Sequence, residues 1–133
     1  MGLVLQQSPR VFRWVSDRIG IGNSEDMRGI GWERDGEMVA GVLYNNWNDT
    51  SVCMHIAAEG RHWCSRKFLF AVFDYPFNEA GKRVILGMVG SRNREAMRFD
   101  LHVGFKLHTI IPDAHPDGEL HILTMRREDC RWI

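Results

Sequence analysis

Residues 93–105 read NREAMRFDLHVGF, and this stretch decides how the rest of the chain is organised. Ala96, Phe99 and Val103 recur at helical spacing behind Asn93, so a helix over Asn93–Val103 presents one apolar face. Gly104 is placed to end that helix in the left-handed conformation, with Phe105 folding back onto Phe99. Immediately upstream, RVILGMV (residues 83–89) is a short continuous apolar run, the pattern of a strand covered on both faces. A covered strand followed by an amphipathic helix is half of a layered α/β arrangement.

Working outward, SVCMHIAAE (residues 51–59) alternates Val52, Met54 and Ile56 against Cys53 and His55, as a strand does. Between the two strands, Arg61 to Ala80 is mostly apolar and too long for a strand. It predicts a buried helix, disturbed near Pro76, whose ring removes a backbone donor. Trp63, Phe68, Phe70 and Phe73 read as core residues of that helix. Toward the N-terminus, Val11, Phe12, Val15 and Ile19 share a helical face, with Ser8 as N-cap, Pro9 at the first helical position and Gly20 and Gly22 as stops. Asp35-Gly36 lies between two strand-like runs and predicts a β-hairpin. At the C-terminal end FKLHTII and ELHILTMRR are strands, joined by the turn-rich loop PDAHPDG. The order α, β-hairpin, β, α, β, α, β, β predicts an α/β (α+β) domain, a mixed sheet with helices packed on it, spanning residues 1–133 without a break.

The totals narrow the function classes. The chain has 133 residues, 44% of them hydrophobic, which is enough for one core. Seventeen basic residues balance seventeen acidic ones, so the basic excess typical of a nucleic-acid binder is missing. Cys53, Cys64 and Cys130 are widely spaced, with no CxxC pair, which argues for reduced thiols rather than a zinc ribbon. No segment has the roughly 18 apolar residues of a membrane span, and MGLVLQQSPR lacks the form of a signal peptide. A cytoplasmic protein is expected. Gly20-Ile21-Gly22 lacks the flanks of a dinucleotide-binding turn, and His115, His121, Asp113 and Asp117 match no metal-ligand spacing, so no metal is expected.

The Asn93 segment resembles the GNAT-type N-acetyltransferases. The family pattern is a strand, then Asn, then Ala three residues on, then Gly-Phe after the helix; here these are Asn93, Ala96, Gly104 and Phe105, without a gap. The strand-to-helix junction HIAAEGRHWCSRKF resembles the family's pyrophosphate-binding turn, with Arg61 on its Arg/Gln position and Cys64 and Arg66 in place of two small residues. The similarity covers about residues 27 to 133 and is greatest to short members carried by bacteriophages and prophages.

The resemblance implies the GNAT acyl-CoA N-acyltransferase fold, a central twisted mixed sheet flanked by helices. It implies acetyl-CoA as cofactor, an amine acceptor (small molecule or protein) as substrate, and a family in which homodimers are common. By the same resemblance Ile56, Ala57 and Ala58 touch the pantetheine arm. Arg61, His62, Trp63, Cys64, Ser65 and Arg66 hold the pyrophosphate at a helix N-terminus, where backbone N–H groups favour anions. Asn93 and Phe99 lie on the far side of the arm. Many members carry a tyrosine seven residues after the Asn to protonate the leaving thiolate; Asp100 stands there. An amine nucleophile must also lose a proton. His55, on the strand beside the thioester, is the first candidate base because an imidazole titrates near neutrality, and Glu33 on the hairpin is the second. Tyr44 and Trp47 either line the acceptor pocket or pack. Against the enzyme stands a non-catalytic reading, a binding or structural module of a phage or host-takeover complex, motivated by the replaced small residues and the missing tyrosine.

Overall fold

The computed structural model describes residues 1–60 and 65–133. A seven-stranded sheet runs β1 (Gly2–Val4), β2 (Arg28–Arg34), β3 (Glu37–Asn45), β4 (Ser51–Ala58), β5 (Val84–Gly90), β7 (Gly118–Arg126) and β6 (Lys106–His115) from edge to edge. Only β4 and β5 pair in parallel; every other neighbour is antiparallel. Helix α1 (Ser8–Ile19) covers one face, while α2 (Arg66–Asp74) and α3 (Arg94–Val103) pack on the other.

Strand alternation sorts the core into these two layers. Ala40, Val42 and Tyr44 of β3 and Val52 and Met54 of β4 point toward α2 and its Phe68, Leu69, Val72 and Phe73. Leu43 and Ala57 point the other way, against Val11 and Val15 of α1. Two glycines let α1 lie close: a side-chain carbon on Gly41 would stand 2.6 Å from Val15 Cγ2, and one on Gly29 2.9 Å from Val11 Cβ. Tyr44 is fully buried and its hydroxyl donates to the Val72 carbonyl at 2.6 Å. Trp47 packs on Tyr44 and is fixed by Asp26, whose backbone carbonyl accepts from the indole N–H at 2.9 Å. These two aromatics therefore pack.

Several expectations are corrected. The short strand β1 precedes α1; three residues carry too little alternation to be read. Ser8 is inside the helix, and its hydroxyl accepts from Gly29 N at 3.0 Å instead of capping. The second helix begins only at Arg66, with Ser65 Oγ accepting from Phe68 N. Beyond Asp74 it widens into a π-turn, Tyr75–Glu79, where Ala80 N reaches back to Tyr75 O around the donor-less Pro76. Phe70, read as core, is 48% exposed, because it points away from the sheet side of α2. The PDAHPDG segment is mostly strand: β6 runs to His115, and Pro112 and Asp113 (φ 62°) sit in an irregularity of this edge strand, where proline is tolerated. The Asp35-Gly36 turn forms as read, with φ of 53° and 81°, the doubly left-handed turn that suits a hairpin. Among the described residues no helix is long and apolar enough to cross a membrane.

Candidate active site

The site begins where a pairing ends. β4 and β5 are in register from Ser51–Val84 to Met54–Gly87, and then they part. Beyond that rung β4 keeps its β3 partner as far as Ala58, and β5 keeps its β7 partner as far as Gly90. One backbone edge of each strand is therefore released into a cleft of about 490 Å³. Ile56, Ala57, Ala58, Glu59 and Gly60 form one wall, and Asn93, Glu95, Ala96 and Phe99 at the start of α3 form the other. Arg18 and Ile19, from the end of α1, close one side.

Of the residues named from sequence, Ile56, Ala57, Ala58, Asn93 and Phe99 are brought together in this cleft. Asn93 also caps α3, its side-chain oxygen accepting from Ala96 N at 3.2 Å. Ser65 and Arg66 start α2 and do not line the cleft; Arg66 is exposed. Arg61, His62, Trp63 and Cys64 lie outside the described residues.

His55 and Glu33 are not on the cleft wall. His55 shares a face with Cys53 and Ala57, is half-buried, and its Nε2 lies 2.9 Å from Asn45 Oδ1. Burial holds its pKa below the ordinary imidazole value, so it is uncharged at neutral pH. Glu33 is paired with Arg10, Oε2 to Nη2 at 3.0 Å, two strands away from β4.

Asp100 is the feature sequence reading placed but did not characterise. It is 5% exposed, the one charged side chain among the described buried residues. It stands over Gly87, the last β5 residue paired with β4; a side-chain carbon there would lie 3.3 Å from Asp100 Oδ2. Burial in this apolar seat, beside Leu123 and Phe105, pushes its pKa up from 3.8 to about 7.

Sequence reasoning also missed Arg18 and Glu59 at the cleft rim. Arg18 Nη2 lies 2.8 Å from Glu59 Oε1, and its guanidinium stacks 3.6 Å from the Trp14 ring centroid. The pair is separated by 41 residues, so no local pattern announces it.

No family model matches the sequence, and no curated protein does either. Solved structures do match. A point variant of the spermidine N-acetyltransferase SpeG from Vibrio cholerae superposes with a TM-score of 0.74 at 12% identity, covering 95% of each chain. The fold is that of the GNAT-type acetyltransferases. YncA from Salmonella typhimurium, a putative acetyltransferase solved with acetyl-CoA, matches at 0.64 and 17% identity over 89% of this chain and 72% of its own. PseH from Campylobacter jejuni, an N-acetyltransferase in complex with acetyl coenzyme A, matches at 0.59 and 12% identity over 87% and 77%. At such identities the likeness is one of architecture.

Proposed function

We propose that this chain is an acetyl-CoA-dependent N-acetyltransferase that transfers an acetyl group to a primary amine. The observation that carries the reading is the cleft itself: the released edge of β4 over Ile56–Ala58, opposite Asn93, Ala96 and Phe99. A pantetheine arm is an extended chain with amide donors and acceptors. A strand edge with unpaired backbone N–H and C=O groups binds such a chain much as it would bind another strand. Ala57 and Ala58 keep that wall low, and Phe99 gives an apolar contact on the opposite side. A backbone N–H of the same edge polarises the thioester carbonyl as negative charge develops on it. The start of α2, with Ser65 and Arg66, supplies N–H groups and a cation for the phosphates.

The proton leaving the amine goes, by way of water since neither side chain lines the cleft, to His55 rather than Glu33. His55 is uncharged and lies on the strand that forms the cleft wall, whereas Glu33 is held by Arg10. The acceptor amine attacks the thioester directly, with no covalent enzyme intermediate. By the sequence resemblance to phage-borne members, the acceptor is one met in the cytoplasm of a phage-infected cell.

Calorimetry and thermal melting with acetyl-CoA test the reading first. Saturation at a hundred times Kd stabilises a folded protein by about 2.7 kcal/mol. Neither binding nor a shift in melting at millimolar acetyl-CoA overturns the proposal. Binding, with no thiol released across a panel of primary amines, favours a non-catalytic GNAT-fold module instead.

A further inference from the structure

The two edges of the sheet are unlike. The β6 edge is exposed from Lys106 to Ala114, but it carries the features that keep an edge from pairing: two register shifts, the donor-less Pro112 and the charge of Lys106. The β1 edge, MGLVL over Met1 to Leu5, has no charged side chain and no proline. Its rungs to β2 are regular, and Met1 and Leu5 are 60% and 50% exposed. We propose that the β1 edge is the contact surface for a second copy of this chain, paired antiparallel about a two-fold axis at Leu3. The inference stands apart from the acetyl-transfer reading, because β2 and β3 separate this edge from β4 and the cleft.

The residues themselves set the register. In a two-fold antiparallel pair one residue meets its own copy on the axis, so the surface must be complementary to itself. With Leu3 on the axis, Met1 lies opposite Leu5 of the second copy, and Gly2 lies opposite Val4. Leu3 is paired with Trp32 and shares its face, the α2 side, whereas Val4 is on the α1 side. By alternation Met1 and Leu5 fall on the α2 side with Leu3. Every cross-strand pair on that face is then apolar against apolar.

A ladder this short holds little alone, and the groove beside it supplies the rest. Between β1 and α2 lies a groove of about 520 Å³, with Leu3 and Leu5 on the strand side and Phe70 and Ala71 on the helix side. Phe70 is 48% exposed there, a large apolar side chain turned away from the core. Because α2 returns from β4 to the parallel β5, it runs against β4 and therefore along β1. It presents to the groove Lys67, then Phe70 and Ala71, then Asp74, all on one helical face. Glu79 joins Asp74 at the far end, where the two carboxylates outnumber Arg28. A two-fold axis turns this stripe end for end in the second copy. The Lys67 end of each copy thus lies toward the acidic end of the other, and the apolar middles meet across the axis with Met1 and Leu5 of both copies.

Sedimentation equilibrium of the full chain, from low micromolar to millimolar concentration, tests the proposal. The expected mass is twice the 15.4 kDa of one chain. Leu5→Lys and Phe70→Glu change exposed residues, so each variant should keep the wild-type circular dichroism. Each buries an unpaired charge in the contact and should weaken dimerisation by roughly 100-fold or more. Ile110→Lys, on the opposite edge, should leave the dimer intact. The register is read by a short bis-maleimide in a Cys64→Ser chain: Leu3→Cys should be joined to its own copy, and Asp113→Cys on β6 should not. A wild-type chain that stays monomeric throughout the range overturns the assignment. So does a dimer that survives both Leu5→Lys and Phe70→Glu, one that Ile110→Lys dissolves, or one cross-linked through Asp113→Cys and not through Leu3→Cys. None of these outcomes bears on acetyl-CoA binding, which the calorimetry above decides separately.

Discussion

Asp100 Oδ2 lies over Gly87 across the α3–β5 interface, so close that a side-chain carbon on Gly87 would stand 3.3 Å from the oxygen. The glycine makes room for the carboxyl at the rung where β4 and β5 part. Gly87→Ala should displace the carboxyl by a few tenths of an ångström and cost about 1 kcal/mol of stability. Urea denaturation measures the cost. A loss of acetyl-CoA affinity in the same variant would show that this last rung bounds the ligand.

The raised pKa of Asp100 makes a prediction about stability. Between pH 3.8 and about 7 the folded chain holds a proton that the unfolded chain has released. Raising the pH through that interval therefore destabilises the fold, and the loss is complete above about 7. The shift corresponds to roughly 4 kcal/mol at most, at about 1.4 kcal/mol per unit. Asp100→Asn should abolish this slope and be the more stable protein at pH 8. Melting temperatures across pH 4 to 8 check both points, and an unchanged slope in the variant would refute Asp100 as its origin.

His55 acts in the opposite sense. Its folded pKa lies below 6.5, so as the pH falls past that value the unfolded chain takes up a proton that the folded chain refuses. Stability is lost on the acid side of 6.5. His55→Gln should remove that contribution, leaving the Asp100 slope in place; the difference between the two melting curves isolates it.

Asn93 combines two duties that substitution can separate. Asn93→Ala removes the cap on Ala96 N and should cost about 1 kcal/mol. Asn93→Ser retains a capping oxygen and should keep nearly wild-type stability, yet lose the amide that faces the cleft. A several-fold weaker Kd for acetyl-CoA in the serine variant, by calorimetry, would assign the amide to the ligand. Equal affinity would leave it a cap alone.

The close approach of α1 to the sheet can be tested by a cycle. Gly41→Ala would place its side-chain carbon 2.6 Å from Val15 Cγ2 and should cost about 1–3 kcal/mol. Val15→Ala in the same chain should return part of that cost, since the two changes share one contact.

What was legible in the sequence followed from local chemistry. The Asp35-Gly36 turn, the α3 stop at Gly104 and the alternation of Val52, Met54 and Ile56 are each written in a few adjacent residues, and each forms as read. Ile56–Ala58 and Asn93 meet in the cleft because a parallel β–α–β unit brings the ends of its two strands to the same end of the sheet. What was not legible depended on distant partners. Ser8 bonds to Gly29, Arg18 to Glu59, and the exposure of Phe70 depends on which side of α2 meets the sheet. In the sequence Asp100 is only a carboxylate at the position where many members of the resembled family carry a tyrosine. Its burial became visible only with Gly87 beneath it, and glycine leaves no sequence signal of what it accommodates.

The four rungs from Ser51–Val84 to Met54–Gly87 have a further consequence, for how the molecule assembles. Strands β2, β3 and β4 follow one another as neighbours, and so do β6 and β7, so their ladders close over short stretches of chain. The seam between β4 and β5 closes only after α2 has crossed over, at the cost of a longer loop. The cleft therefore exists only once the β2–β4 and β5–β7 ladders have docked, and is a property of neither half alone. In refolding, recovery of acetyl-CoA binding should lag behind recovery of β-sheet signal, so that a ligand for this cleft recognises only the finished molecule.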